Sequence, residues 1–120
     1  DSTKHALKKN KNIFWIFGGL PKIKDKFNFH GFGSNIIKSF IIGKKTSYFR
    51  NQVVNKIKYK ISYNLKNAIN DVFKELLLIK NNKVTVLLSP ASASYDQFNN
   101  FVHRGNQFKK IVRYNVKKFL

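Results

Sequence analysis

The chain has 120 residues, 42% of them hydrophobic and 15% aromatic, which suits one folded domain with a modest core and argues against disorder. It has no cysteine, so disulfides, zinc–thiolate sites and thiol nucleophiles are excluded. Lys and Arg number 24 against 5 Asp and Glu, a net charge of +19 that ordinarily points to nucleic acid, an anionic membrane surface or an acidic ligand.

The identity of the basic residues weakens that pointer. Lysine dominates, arginine stands only at Arg50, Arg104 and Arg113, and Asn, Ile and Phe are abundant too. A/T-rich codons encode lysine and these three companions, so genome composition offers an explanation for much of the basicity. The lysines are also spread along the chain rather than gathered on one arm, which makes nucleic acid the minor reading. No apolar run approaches the roughly 20 residues of a membrane-spanning helix. Residues 1–12 lack the apolar core of a signal peptide, and a cytoplasmic protein is expected.

In chain order, STKHALKK (2–9) reads as a short helix with Ser2 or Thr3 as its cap. IFWIF (13–17) is a continuous apolar run ended by Gly18 and Gly19, the pattern of a strand buried on both faces of a parallel sheet. Residues 20–35 have no period and read as a loop or lid. SFIIG (39–43) is a second buried strand, followed by a helix over 44–55 with Tyr48, Phe49 and Val53 inward. KIKYKI (56–61) alternates at period two with lysines on one face, as an edge or half-exposed strand does.

The strongest helix is 64–79, where Leu65, Ala68, Ile69, Val72, Phe73, Leu76 and Leu77 recur every three or four residues. VTVLLS (84–89) is a third buried strand, and a last helix is expected over 105–118 with Phe108, Ile111, Val112 and Val116 inward. The alternation of strands and helices predicts a single-domain α/β fold, a three-layer Rossmann-like sandwich with a mostly parallel sheet.

In such sheets ligands bind beyond the carboxyl ends of the strands. Two segments fall there: GGLPK (18–22) after the first strand and SPASASYDQFNNF (89–101) after the last. If those two strands are neighbours, Lys22 and the turn 94–101 face one crevice. An ammonium group opposite backbone N–H groups and a serine hydroxyl makes a receptor for a carboxylate or phosphate.

The run LLSPASASYDQFNNF followed by HRGNQF, with WIFGGLPK some seventy residues earlier, resembles the C-terminal domain of the Mur ligase family, in its D-glutamate-adding branch. The likeness covers essentially the whole chain, and the SPASASYDQF block is its specific part. The resemblance implies that Lys22 contacts one carboxylate of the incoming D-glutamate. It also implies that Ser94, with the backbone near Tyr95, holds the other. Phe101 would contribute its backbone N–H, with Asn100 adjacent.

The implied activity is amide formation in peptidoglycan biosynthesis, a step of cell-wall assembly. ATP phosphorylates the alanyl carboxylate of UDP-N-acetylmuramoyl-L-alanine, the D-glutamate amine attacks the acyl phosphate, and a tetrahedral intermediate expels phosphate. The family's P-loop, Mg²⁺ ligands and nucleotide-sugar contacts belong to other domains, and this chain contains no G-x-x-x-x-G-K-[ST] match. ATP and Mg²⁺ are therefore expected to be bound elsewhere, and the chain alone is expected to be inactive. Asp1-Ser2-Thr3-Lys4 is superficially like the family's DSKAT-type motif but lies too close to Gly18-Gly19 to be it. The chain departs from the family pattern at Ile23, Lys44, Ser92, Val102 and His103.

Plainer readings stand beside these assignments. Lys22 is also one lysine among many, and Ser94, Asp96 and Asn100 are also suited to capping a helix that starts near residue 95. Phe98 and Phe101 have the spacing of core packing, and Trp15 is most simply core. Asp71 and Glu75, four apart beside Lys74, read as a solvated face, and Arg104-Gly105 as a turn. His5, His30 and His103 lack the spacing of a metal site. From another functional class, a small basic α/β module that binds nucleic acid or another polyanion without catalysis remains the alternative.

Overall fold

Six consecutive residues, Ile13–Gly18, are buried at every position and form the first strand, β1. A strand can be apolar without alternation only where both its faces are covered. A computed structural model of the chain, which describes residues 2–18, 31–79 and 84–88, shows how. Ile13, Trp15 and Phe17 pack on one side with Leu7, Phe49 and Val53. Phe14 and Ile16 pack on the other with Leu65, Ala68, Ile69 and Val72. The first cluster thus draws on helices α1 (Ser2–Lys9) and α2 (Thr46–Val53), the second on α3 (Leu65–Leu78). Trp15 and Phe17 stack with ring centroids 3.9 Å apart, and Phe49 meets Phe17 edge-on at 5.6 Å.

Strands β2 (Ile36–Ile42), β3 (Tyr59–Tyr63) and β4 (Thr85–Leu88) complete a four-stranded sheet of order β3-β2-β1-β4. Each neighbouring pair in it is parallel. Helices on both faces of this sheet make the three-layer, Rossmann-like sandwich that the alternation of elements predicts. No helix among the described residues is long and apolar enough to cross a membrane.

Several boundaries and burials differ from the sequence reading. β2 begins at Ile36, three residues before SFIIG, and α2 is shorter than 44–55. β3 sits later than 56–61 but does lie at the sheet's edge, with Lys58 and Lys60 exposed. β4 is only half-buried, because among the described residues it has a strand partner on one side alone. Leu77 is 61% exposed: it lies about 100° around the helix from Leu76, off the inward stripe. The helix expected over 105–118 lies outside the described residues.

Asp71 and Glu75 are not a solvated face. Glu75 pairs with Lys38 on β2, while Asp71 accepts from Lys60 Nζ at 2.8 Å and from Ser62 Oγ at 2.9 Å, both on β3. Ser62 is buried and Lys60 half exposed, so the hydroxyl rather than the ion pair makes the contact sensitive. Asp71→Ala would strand a buried hydroxyl and should cost about 1–3 kcal/mol. Glu75→Ala, which exposes a lysine already near solvent, should cost less than about 1 kcal/mol. Urea denaturation of the two variants checks this ranking.

Gly18 closes β1 with φ of 144°, and a Cβ there would come within 1.9 Å of the Ile42 carbonyl oxygen on β2. The backbone needs glycine for its conformation and again for its clearance. Gly18→Ala should therefore destabilise the domain by roughly 2–4 kcal/mol through overpacking and strain, seen as a large drop in Tm with the cooperative transition retained.

Candidate substrate-binding edge

All four strands point the same way, so their carboxyl ends share one edge of the sheet. From β1 the chain adds β2 and then β3 on one side, through α2, and α3 returns it to β4 on the other. The direction of strand addition therefore reverses between β1 and β4, with α2 and α3 packed on opposite faces. Such a reversal opens a crevice at the carboxyl ends, the usual ligand position in open α/β sheets.

Both segments singled out in the sequence leave from this point. β1 and β4 are in register from Ile13 opposite Thr85 to Ile16 opposite Leu88, and β1 continues to Gly18 opposite Ile42. Lys22 follows Gly18 by four residues and Ser94 follows Leu88 by six. At about 3.5 Å per extended residue, the two reach roughly 14 and 21 Å from strand ends that lie about 5 Å apart laterally. The condition on which the crevice depended, that these two strands be neighbours, is thus met. Lys22, Ser94, Tyr95, Asn100 and Phe101 themselves lie outside the described residues.

The other half of the edge comes from β2 and β3. Beyond Ile42, Gly43 turns with φ of 96° and donates its N–H to the Tyr63 carbonyl at 2.9 Å. Lys44 and Lys45 follow, both exposed. Tyr63 ends β3 with φ of 72°, and Asn64 N–H donates to the Ser62 carbonyl across it at 2.9 Å, a γ-turn. Asn64 caps α3, its side-chain oxygen accepting from Asn67 N–H at 2.8 Å. The sequence reading passed over Tyr63. The signal was there: a strand running into a capped helix leaves one residue to make the turn.

Chemically, the described part of this edge offers backbone groups, lysine ammonium groups and an aromatic ring. Both described carboxylates are committed to lysines on the sheet, so they do not fit an Mg²⁺ site. No group of three metal-ligating side chains occurs among the described residues.

No protein-family model matches the chain. Individual curated proteins do. The UDP-N-acetylmuramoylalanine–D-glutamate ligase of Bradyrhizobium diazoefficiens is 35% identical over 113 residues, covering 94% of this chain and 24% of that protein. The enzyme of the same name from the Wolbachia of Brugia malayi is 39% identical over 108 residues, covering 90% and 22%. That of Wolbachia pipientis wMel is 38% identical over 117 residues, covering 95% and 23%. The chain therefore spans about a quarter of the length of the curated relatives it matches. With this homology along nine-tenths of its length, the chain belongs to the Mur ligase family, as a counterpart of the C-terminal part of these ligases.

Proposed function

We propose that this domain is the amino-acid clamp of an ATP-dependent ligase that adds D-glutamate to UDP-N-acetylmuramoyl-L-alanine in peptidoglycan biosynthesis. The observation that carries the reading is the pairing of β1 with β4, which launches GGLPK and SPASASYDQFNNF from adjacent carboxyl ends. The relatives' shared activity supports it over a polyanion-binding module, for which only the net charge of +19 speaks.

In this reading Lys22 meets one glutamate carboxylate, while Ser94 and the backbone near Tyr95 hold the other. The Phe101 N–H, beside Asn100, completes the cradle. Holding both carboxylates leaves the amine as the free end, and fixing its position converts an encounter into a directed attack. The lysine-rich surface assists by drawing in anionic substrates, an effect that salt screens over about 10 Å at 0.1 M. ATP and Mg²⁺ are bound by another part of the ligase, where phosphate transfer makes the acyl group reactive. The whole reaction belongs in the cytoplasm.

The test is a titration followed by amide chemical shifts. D-Glutamate should bind at about millimolar strength and shift resonances in 18–22 and 94–101. Lys22→Ala and Ser94→Ala, each removing a charge-assisted hydrogen bond, should weaken binding roughly 10- to 100-fold. Equal binding of L-glutamate, or indifference to both substitutions, sinks the assignment.

A further inference from the structure

The sheet's amino edge, opposite the candidate site, has a composition of its own. The chain returns to it after α1, α2 and α3, because the strands that follow all start there. α1 ends in Lys8 and Lys9, Lys11 follows in the turn into β1, and Lys56 and Lys58 stand between α2 and β3. Asn12 and Asn55 take the left-handed conformation in these two turns, with φ of 54° and 64°, which asparagine tolerates better than most residues. Thr85 N–H donates to the Asn12 carbonyl at 3.1 Å and Ser39 N–H to the Lys58 carbonyl at 2.9 Å, so both turns lie against a neighbouring strand. All five lysines are exposed. Basic side chains are favoured at helix carboxyl ends, which accounts for Lys8 and Lys9. The last turn of α3 reaches the same edge without one and carries Leu77 and Leu78 instead, 61% and 79% exposed. Lys74, three and four residues earlier, is exposed beside them. Two leucines standing in water among lysines serve neither core nor cap.

We propose that this amino edge docks on the surface of an anionic phospholipid bilayer, its lysines meeting the headgroup phosphates and Leu77 and Leu78 entering the boundary between headgroups and acyl chains. Attachment to such a surface grows with the apolar area buried and with the number of basic residues near it. The edge supplies both. Nucleic acid would meet the lysines equally well, but it stacks on aromatic side chains and has little use for exposed leucines. In this pose the carboxyl edge, with the candidate clamp, faces away from the bilayer. The inference therefore goes beyond the proposed function and stands without it.

The experiment is co-sedimentation of the chain with vesicles of phosphatidylcholine alone and of phosphatidylcholine mixed equally with phosphatidylglycerol, at low and high salt. Binding is expected only to the anionic vesicles and should fall as salt screens it. Leu77→Gln with Leu78→Gln should weaken it roughly tenfold. Both positions are exposed, so circular dichroism should show the fold unchanged. Lys9→Gln with Lys11→Gln should weaken it roughly 25-fold, at about fivefold for each lysine near the surface. The same loss of charge at the opposite edge, Lys44→Gln with Lys45→Gln, lies roughly 20 Å away, about twice the screening length at 0.1 M salt, and should matter less than about threefold. Equal losses from the two lysine pairs, or indifference to the leucine pair, would mean attraction by net charge alone and overturns the proposal. So does a single-stranded RNA that displaces the chain from the vesicles, or a dimer in light scattering that the leucine substitutions dissolve.

Discussion

Burial of Ile13–Gly18 on both faces is the constraint from which the rest follows. Its odd and even side chains feed two separate clusters, so helices are required above and below the sheet. Because β1 is central, strands must lie on either side of it, and a parallel sheet can fill both sides only by reversing its direction of growth. That reversal falls between β1 and β4, where ligands usually bind in open α/β sheets. The position of the candidate site is thus a topological consequence of where the most apolar strand sits. Gly18 marks the exit: the Ile42 carbonyl leaves no room for a Cβ where the chain leaves for GGLPK.

The same sheet explains how a chain with so few acids holds together. Asp71 and Glu75 are the only carboxylates among the described residues, and both tie α3 to lysines on β2 and β3. The pairs are partly exposed, so each adds little stability by charge alone. Their larger consequence is to keep acidic groups away from the carboxyl edge, where Lys44 and Lys45 stand exposed. An edge of that sign suits anionic substrates and would repel a cation.

Much of this was legible in the sequence because burial leaves a periodic trace. The run IFWIF announced a doubly covered strand, and KIKYKI announced an edge, since a face of alternating lysines such as Lys58 and Lys60 stays exposed. What resisted reading was set by partners rather than by local pattern. VTVLLS looks as apolar as IFWIF, yet β4 is half-buried, and among the described residues it pairs with β1 alone. Asp71 and Glu75 looked solvated because their partners lie 11 and 37 residues away in sequence. Tyr63 was passed over because a single strained φ has no period, and its only signal is the short passage from strand to capped helix. For the proposed clamp, the family resemblance named Lys22 and Ser94, and the strand register explains why the segments that lead to them, so far apart in sequence, start side by side.

The central claim is that residues near 22 and 94 close on one ligand, and the absence of native cysteine makes this directly measurable. Cysteines introduced as Ile23→Cys and Ala93→Cys, sparing Lys22 and Ser94, would carry spin labels for a distance measurement with and without D-glutamate. The account predicts a separation of roughly 15 Å or less, given neighbouring strand ends about 5 Å apart, narrowing to a single population when D-glutamate binds. A separation beyond about 25 Å, well inside the roughly 40 Å that the two strand ends and tethers allow, and unmoved by D-glutamate, would contradict it.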